Sequence, residues 1–432
     1  MRPPLEPPKG MDDLTPEEYA VHDELVRAAR KVMEAYGYQL IETPTVEHYE
    51  VFAVKSGEEI LTHIFGFEDA HGRRLVLRPE MTAPVARLFA ARLSRRPLPV
   101  RLGYIADCYR LDEPQWGRRR RFYHAGFELI GVRDPMADAE QVLICRDFFG
   151  SVGINDFWVK LGHVGVHRAV LSACGIGEEL QDRILSLIDR GRKEEALEVV
   201  RSSSTDRQAA EAYESLVSGS ASGEIGAVRE LLSGIEGVGP QVEELEAVQR
   251  VLEALVGKER IRYDPGFARG LSYYTGTIFE VYGPRASVAL AGGGRYDGLI
   301  GLFSGRDFPG VGVAIGLTRV MQYLLDRTEY RPRLRAPRVM VKPLGKAESE
   351  QALMVADAIR RRGIEAEMSF PGRSLGDELG LASERGVRLV VIIGSRERER
   401  GVVTIRDMRE GRQVEVSREG VAEEVERLLG HG

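Results

Sequence analysis

The stretch YRLDEPQWGRRRRFYHAGFE, residues 109–128, carries arginines among aromatic side chains and ends in a strand-like run. Arg110 lies on one predicted strand and Phe122 near the start of the next, which fits an antiparallel sheet. A guanidinium group binds phosphate oxygens through a planar pair of donors, and a neighbouring aromatic ring offers a stacking face for a base. The stretch therefore indicates a nucleotide site, with an exposed and solvated charge cluster as the alternative.

The composition is that of a globular protein with two or three domains. The chain has 432 residues, of which 43% are hydrophobic and 29% are charged. It contains no apolar run long enough to span a bilayer, and its start, MRPPLEPPKGMDDLTPEE, lacks the apolar region of a signal peptide. We therefore expect a cytoplasmic protein that does not enter a membrane. A net charge of −6 argues against a general DNA-binding protein, but it leaves room for another nucleic acid at a local basic face.

The three cysteines do not predict a metal site or a disulfide framework. Cys108, Cys145 and Cys174 are widely spaced and belong to no CxxC or CxxH group. We expect them to be buried small hydrophobic side chains.

The first part of the chain, residues 1–154, predicts an antiparallel sheet flanked by helices. LTPEEYAVHDELVRAARKVMEAYGY has a Thr-Pro start signal, helical spacing of apolar residues and a closing Gly37, which together predict a capped helix. QLIETPTVEHYEVF reads as a strand broken by Pro44, and TAPVARLFAARL as a helix. Three further segments are strand-like: RRLVLRPE, PVRLGYIADCYRL and RFYHAGFELIGV.

The remaining chain divides into three predicted regions. Residues 155–260 are charge-rich with helical spacing, which predicts an inserted helical subdomain. Strand-like segments return in residues 261–330, where LSYYTGTIFEVY and SVALAGGGRYDGL precede a strand-to-helix segment, VGVAIGLTRV. TEYRPRLRAPR is a predicted linker, and residues 336–432 alternate strands and helices as in a small α/β domain. The predicted fold class is α+β.

Other segments could hold ligands without a familiar phosphate loop, because neither GxxxxGK[ST] nor GxGxxG occurs. Glu80 and Thr82 offer a carboxylate and a hydroxyl that could bind an ammonium group, or Glu80 could simply stabilise the start of a helix. Tyr273 and Tyr274 are expected to point to opposite faces of a strand, one towards a pocket and one into the core, with a core role for both as the alternative. Arg319 could bind a phosphate or be an ordinary surface residue.

Taken together, these segments resemble the class II aminoacyl-tRNA synthetases and, among them, the histidyl-tRNA synthetase family. ETPTVE, with Pro44, is similar to the family's motif 1, residues 109–128 to motif 2 and VGVAIGLTRV to motif 3. RGLSYYTGTIFE and AGGGRYDGL are similar to the two peptides that mark the histidine-specific enzymes. The region from PRVMVKPLG to VIIGSRE is similar to the anticodon-binding domain.

The resemblance implies ATP-dependent activation of L-histidine and its transfer to tRNA(His), with Mg²⁺ accompanying the ATP and motif 1 forming a homodimer. Arg269 and Arg110 would be catalytic, with Arg269 stabilising charge on the α-phosphate. The implied ATP-binding residues are Arg110, Asp112, Arg118, Phe122 and Arg319. The implied histidine-binding residues are Glu80, Thr82, His124, Glu128, Arg269, Tyr273, Tyr274 and Tyr296.

The sequence departs from the family pattern at several positions. His124 replaces a glutamine that contacts substrate, Ser272 replaces an aspartate, and Asp377 and Glu378 stand where relatives often have lysines. An acidic helix face there would repel the phosphates of an RNA.

These departures keep a second class open. It is the non-catalytic regulatory subunit of ATP phosphoribosyltransferase, which shares the catalytic fold and takes part in histidine biosynthesis. Arg110, Arg269, Arg319 and the full C-terminal domain favour the synthetase. A dedicated RNA-binding protein would not need the two histidine peptides.

Overall fold

The computed structural model describes residues 3–53, 61–219, 224–269, 273–327, 330, 332, 334 and 336–430. It divides into two compact units, Met1–Pro332 and Arg333–Gly432. Of the predicted linker TEYRPRLRAPR, residues 328, 329, 331, 333 and 335 lie outside the described residues. None of the described helices combines the length and the apolar composition needed to cross a bilayer.

The first helix, α1, spans Pro16–Ala35 and has the predicted caps. The Thr15 hydroxyl accepts the N–H of Glu18, and the Glu18 carboxylate accepts the N–H of Thr15 at 2.8 Å. This reciprocal pair is a capping box, which satisfies two of the free donors at a helix start. Gly37, with a φ of 73°, follows the helix end as the sequence predicted.

The first unit is built on a large, mostly antiparallel sheet, which confirms the predicted fold class. Within the described residues it has eight strands in the order β1-β5-β6-β11-β10-β9-β7-β8. The pairs β1–β5 and β7–β8 are parallel, and the other neighbours are antiparallel. Its strands are β1 Gln39–Leu40, β5 Val100–Tyr109, β6 Arg121–Ile130, β7 Trp158–His163, β8 Ile261–Tyr263, β9 Thr277–Tyr282, β10 Ala291–Arg295 and β11 Gly310–Gly316.

The segment around Pro44 contributes to two different sheets. Before the proline, β1 pairs with β5 of the large sheet, and after it a short strand, β2 Val46–His48, joins a second sheet. That sheet has the order β2-β4-β3, with β3 at Gly66–Glu68 and β4 at Arg74–Leu77. Pro44 therefore separates strands of two sheets rather than interrupting one.

The predicted helical insertion begins later than residue 155. Strand β7, Trp158–His163, belongs to the large sheet, where it pairs with both β8 and β9. The described helices of the first unit after α1 are α2 Tyr49–Ala53, α3 Thr82–Leu88, α4 Pro135–Ser151, α5 Val164–Ala173, α6 Glu178–Asp189, α7 Lys193–Ser203, α8 Arg207–Val217, α9 Ile225–Leu231, α10 Gly239–Val256, α11 Gly301–Ser304 and α12 Leu317–Leu325. Buried apolar residues from the sheet and from the helices α5 to α10 form one continuous core, because the insertion packs against the sheet rather than standing apart from it.

The second unit is an α/β domain. Its described sheet has the order β13-β12-β14-β15-β16, with parallel pairs on both sides of β12 and antiparallel pairs beyond β14. The strands are β12 Val339–Pro343, β13 Ala366–Met368, β14 Leu389–Ile393, β15 Val402–Asp407 and β16 Gln413–Ser417. The described helices are α13 Ser349–Arg361, α14 Leu375–Arg385, α15 Ser395–Arg400 and α16 Val421–Leu429.

The expected acidic face on α14 is smaller than the sequence indicated. Glu378 is buried and accepts a hydrogen bond from Lys342 Nζ at 3.1 Å. Asp377 is exposed, and its carboxylate accepts a hydrogen bond from the Ser374 hydroxyl at 2.8 Å. Glu378 therefore cannot repel an RNA from the surface, because its charge is paired inside the domain.

The three cysteines are free and buried, as predicted.

Glycines on the large sheet let side chains from neighbouring strands lie flat on it. Gly126 faces Tyr104 across the β5–β6 pair, and a Cβ at Gly126 would lie 2.0 Å from the Tyr104 ring. Tyr104 is 1% exposed, so the ring has no free space into which it could move. A side chain at position 126 would therefore distort the sheet.

We predict that Gly126→Ala destabilises the first unit by about 1–3 kcal/mol or more, because it overpacks a rigid site. Gly226→Ala is the matched control, since a Cβ there would meet open space. Thermal unfolding followed by circular dichroism measures both. Equal melting temperatures for the two variants would show that Tyr104 can move.

Candidate active site

A cleft lies over the large sheet and is lined by residues from two separate parts of the sequence, 110–124 and 269–319. Arg110, Asp112, Arg118 and Phe122 come from the end of β5, the following loop and β6, and Arg319 comes from α12. These are the five predicted ATP-binding residues, and the fold brings all of them to one place. His124 and Arg269 line the same cleft.

Three of the four consecutive arginines are paired with carboxylates. Arg119, Arg120 and Arg121 form ion pairs with Asp12, Glu113 and Asp107.

Three other arginines that line the cleft lack such partners within the described part of the chain. Among the described residues, Arg110, Arg118 and Arg319 form no ion pair with a carboxylate. Like charges held close together without a counter-ion favour binding of an anion. The site therefore has unneutralised positive charge that suits a polyphosphate.

Arg319 is fixed in the cleft and is not the surface residue considered as its alternative. Its Nε donates to the carbonyl of Gly117 and another nitrogen donates to the carbonyl of Ala289, each at 2.8 Å. Desolvation, followed by the charges of Arg110, Arg118 and Arg269, lowers its pKa to about 10. It remains a cation at neutral pH, and the bond to Gly117 ties it to the loop that follows β5.

Phe122 and His124 form an aromatic floor beside these cations. Their rings lie 4.9 Å apart, and the Arg110 guanidinium lies 5.3 Å from the Phe122 ring centre. Desolvation, together with the charges of Arg110, Arg319 and Arg269, lowers the pKa of His124 to about 3. His124 is therefore neutral at physiological pH and adds no charge to the cleft.

A group of carboxylates and hydroxyls lies further along the sheet. Glu128 on β6 is 1% exposed, and it accepts hydrogen bonds from the Thr82 hydroxyl at 3.0 Å and from the Tyr296 hydroxyl. Burial raises the pKa of Glu128 to about 8, although the two hydrogen bonds oppose the shift. Glu80 is also buried, and its carboxylate accepts the N–H groups of Thr82 and Ala83 at the start of α3. The structure thus gives Glu80 the helix-start contact considered above.

The prediction for the tyrosine pair was wrong in its geometry. Tyr273 and Tyr274 precede β9, which begins at Thr277, so they do not alternate across a strand. Both are buried, with ring centres 4.9 Å apart, and Tyr273 packs edge-on against Tyr296 at 6.1 Å. The three rings form one cluster beside Glu128. The preceding departure, Ser272, lies outside the described residues.

Arg269 lies over a strand whose sequence makes room for it. Its side chain passes Gly292 on β10, where a Cβ would lie 2.3 Å from a terminal guanidinium nitrogen. That nitrogen is buried without a described hydrogen-bond partner, and the other terminal nitrogen lies 3.9 Å from the Glu280 carboxylate. An unsatisfied buried guanidinium donor is costly, so it is suited to a ligand oxygen.

The sequence analysis missed this steric role of the glycines. A Cβ at Gly294 would lie 2.9 Å from the Tyr274 ring, just as one at Gly292 would meet Arg269. A glycine run inside a strand pattern marks close approach of another group, and this signal was present in AGGGRYDG. The sequence pattern also gave no signal for Glu280, which accepts a hydrogen bond from the Tyr282 hydroxyl at 2.6 Å and lies 3.9 Å from Arg269.

Among the residues that the structure describes, no three His, Cys, Asp or Glu side chains are grouped so that they could hold a metal ion.

Comparisons with known proteins show the family of this chain. A family model described as histidyl-tRNA synthetase matches residues 10–320, and one described as an anticodon binding domain matches residues 338–428. The chain belongs to the histidyl-tRNA synthetase family. It is 35% identical to a histidine–tRNA ligase of Methanocaldococcus jannaschii, over 94% of this chain and 96% of that relative. It is 36% identical to one of Archaeoglobus fulgidus, over 96% of this chain and 98% of that relative.

Solved structures give the same result for the synthetase fold. A histidyl-tRNA synthetase from a Nostoc species superposes with a TM-score of 0.76 at 27% identity, covering 99% of this chain and all of that one. A Bacillus halodurans protein described as an ATP phosphoribosyltransferase regulatory subunit/histidyl-tRNA synthetase superposes with a TM-score of 0.74 at 28% identity, covering 91% of this chain and all of that one. The synthetase and the regulatory subunit share a fold, so the fold alone does not choose between them.

We predict that Glu128→Gln increases thermal stability, and that the gain becomes larger as the pH rises from 6 towards 8.5. The ordinary pKa is 4.5 and the folded value is about 8, so the folded protein holds a proton that the unfolded chain releases in this window. The free energy of unfolding of the wild type therefore falls as the pH rises. Glutamine does not titrate, so the substitution removes this contribution to the pH dependence.

The melting temperatures of both proteins across this pH range test the prediction, with a difference of several degrees expected at high pH. Glu140→Gln, which alters a carboxylate paired with Arg101, is the control. If the difference in melting temperature between Glu128→Gln and the wild type were the same at every pH, Glu128 would not have a raised pKa in the folded protein.

Proposed function

We propose that this chain is a histidine–tRNA ligase that activates L-histidine with ATP and transfers the histidyl group to the 3′ end of tRNA(His). The proposal rests on one observation: the two ends of the site carry different chemical groups. One end holds Arg110, Arg118 and Arg319, which form no ion pair with a carboxylate of the described residues, and the other holds the buried Glu128 beside a cluster of tyrosines. A polyphosphate and an amino acid need these two environments.

ATP would bind at the arginine end. The adenine would stack on Phe122, next to the Arg110 guanidinium, because a base can stack on an aromatic ring and interact with a cation. Arg118 and Arg319 would hold the outer phosphates, and Asp112 would lie near the nucleotide. A guanidinium group keeps its charge at physiological pH and matches phosphate geometry, which explains why the site uses arginines.

Histidine would bind at the carboxylate end, with its ammonium group near Glu80, Thr82 and Glu128. The charged ammonium would favour the ionised form of Glu128, although burial alone favours the protonated form. The imidazole would lie against Tyr274 and Tyr296, where buried polar groups would reject an apolar side chain of similar size.

The reaction requires a nearby positive charge rather than a nucleophile from the protein. A carboxylate oxygen of histidine attacks the α-phosphorus, the bond to the bridging oxygen breaks, and pyrophosphate leaves with the electron pair. Arg269, whose buried guanidinium nitrogen has no described partner, would stabilise the charge that develops on the α-phosphate, and Arg110 would hold the same group. Because His124 stays neutral in this cleft, it would contribute by contact rather than by charge.

The donor set fits Mg²⁺ carried by ATP rather than a metal held by the protein alone. Asp112 lines the cleft, and the Glu280 carboxylate lies 3.9 Å from Arg269, another residue of the cleft. Mg²⁺ that accompanies a nucleotide is usually held by one or two carboxylates together with the phosphates, and here it would partly neutralise their charge. Asp112 and Glu280 are the carboxylates we assign to this contact.

The regulatory-subunit alternative has less support. The curated relatives from M. jannaschii and A. fulgidus are named histidine–tRNA ligases and extend along nearly the whole chain. The arginines of the cleft also favour the ligase, because its reaction needs a polyphosphate site. We propose a cytoplasmic location, because tRNA charging supplies protein synthesis there.

We predict histidine-dependent exchange of pyrophosphate into ATP by the purified protein with Mg²⁺, and little exchange with the other amino acids. Arg269→Ala should lower this exchange by about 10²–10³-fold, because it removes charge stabilisation in the transition state. Arg262→Ala, at an exposed arginine on β8, is the matched control.

Exchange by Arg269→Ala at the wild-type rate would remove Arg269 from the catalytic role. No exchange by the wild type, from folded protein that binds histidine, would favour the regulatory subunit instead.

We also propose a homodimer that forms through the motif 1 region. Three large apolar side chains in this region are exposed: Leu40 at 47%, Val46 at 40% and Phe67 at 47%. They lie on β1, β2 and β3. A two-fold interface uses the same patch on both subunits, and we assign this patch to the exposed apolar residues on β1 of the large sheet and on β2 and β3 of the three-stranded sheet.

We predict a mass of twice the 48.0 kDa chain by light scattering. Phe67→Glu should shift the equilibrium towards the monomer, because it places a charge in the apolar patch. Leu255→Glu, at another exposed leucine on α10, should leave the mass unchanged. A monomeric wild type would exclude this interface.

A further inference from the structure

Arg295 is the last residue of β10 and lies directly before Tyr296, which donates its hydroxyl hydrogen to Glu128. The Arg295 side chain is 5% exposed. It forms an ion pair with Asp138, which is 1% exposed, through contacts of 3.1 Å from Nε to both carboxylate oxygens. The pair is therefore buried between the sheet and α4.

The rest of the Arg295 guanidinium joins three separate segments. One terminal nitrogen donates to the carbonyl of Val132 at 2.8 Å and to the Asp297 carboxylate at 3.1 Å. The other donates to the carbonyl of Asp134 at 3.3 Å and to Asp138. The end of β6, the start of α4 and the turn after β10 are thus held by one side chain.

The Arg295 backbone holds the segment that carries the tyrosine pair. Its carbonyl accepts the N–H of Thr275 at 2.8 Å, and the Thr275 hydroxyl accepts the N–H of Asp297 at 3.1 Å. The Asp297 carboxylate also accepts the N–H of Gly310 at 3.2 Å, where β11 begins. The segment that carries Tyr274 is therefore bonded to Arg295, and Tyr296 follows Arg295 directly in the chain.

Gly276 makes this arrangement sterically possible. A Cβ at Gly276 would lie 2.9 Å from Arg295 Cδ and 3.2 Å from Arg295 Cβ. Two stretches that are distant in sequence, YYTG at residues 273–276 and GGGRYD at residues 292–297, are thus complementary in shape around the stem of one arginine.

We propose that Arg295 is a positioning residue for the amino-acid pocket, which sets the place of Tyr296 and of the Tyr273–Thr275 segment relative to Glu128. A buried ion pair is weak evidence for stability, because desolvation of both charges offsets their attraction. The rigid planar fork, which reaches Val132, Asp134 and Asp138 together, fixes geometry in a way that an apolar side chain cannot. The inference rests on the proposed function, because it assigns the pocket to histidine.

Arg295→Lys tests the inference, since lysine keeps the charge but cannot reach all the acceptors of the planar fork. In histidine-dependent pyrophosphate exchange, we expect the KM for histidine to rise at least tenfold and the KM for ATP to change less than twofold. Arg388→Lys, at a similar Arg–Asp pair with Asp407 in the second unit, is the control and should leave both KM values unchanged.

Thr275→Val and Thr275→Ser give a second test that does not disturb a buried ion pair, because Thr275 is exposed. Valine removes the hydroxyl that accepts from Asp297, and serine keeps it. We expect a several-fold higher KM for histidine in Thr275→Val and a wild-type value in Thr275→Ser. This pair decides the question if Arg295→Lys does not fold.

The inference would be overturned if folded Arg295→Lys had the wild-type KM for histidine. If Arg295→Lys does not fold, a wild-type KM for histidine in Thr275→Val would overturn it. Equal increases in the KM values for histidine and ATP would overturn it as well. Equal increases would mean that Arg295 supports the fold as a whole and does not specifically position the amino-acid pocket. A wild-type protein without histidine-dependent exchange would instead overturn the proposed function, so the two failures are distinguishable.

Discussion

The site depends on a steric constraint. The strands beneath it have glycines at the positions where side chains from neighbouring segments lie flat on the sheet. Gly126 accommodates the ring of Tyr104, and Gly292 accommodates the Arg269 guanidinium. Gly312 does the same for Glu128, since a Cβ there would lie 1.9 Å from a carboxylate oxygen. Each of these side chains lies against a glycine of a neighbouring strand or segment, so charged groups are buried against backbone and held without freedom to move. Glycine weakens a strand, and this sheet accepts that cost at its centre, where the ligands are proposed to bind.

The glycines beneath the site, Gly126, Gly292 and Gly312, also explain how its charged groups are arranged. Arg269 and Glu128 lie on one surface, yet their charges have different surroundings. Glu128 is enclosed by hydroxyl donors and burial, which together leave its pKa near 8, whereas the arginines of the cleft face one another. The first environment can accept an ammonium group and the second a polyphosphate. The proposed reaction joins a carboxylate to a phosphate between the two ends, where Arg269 lies.

Much of this architecture follows from local sequence. The cap at Thr15 and the glycine after the helix, the strands on both sides of the arginine loop, and the strand-to-helix segment before Arg319 all depend on residues close together in the chain. The convergence of Arg110, Phe122 and Arg319 came from family resemblance, since no spacing rule connects residues about 200 positions apart. The destination of the four consecutive arginines could not be read from sequence, because their partners, such as Asp12 and Asp107, are set by the tertiary fold. For the same reason, the burial of Glu378 depends on Lys342, which is located on another strand.

The error at the tyrosine pair shows why local pattern fails at a functional segment. Alternating β-formers predicted a strand through Tyr273 and Tyr274, but the strand begins only at Thr277. The N–H of Thr275 is bonded to the carbonyl of Arg295, and Gly276 lies against the stem of the same arginine. A tertiary contact thus overrides local strand propensity, and it turns both rings to the same side, into one cluster with Tyr296. A regular strand would have sent one ring to each face, so the tyrosine cluster exists because the segment departs from the regular pattern.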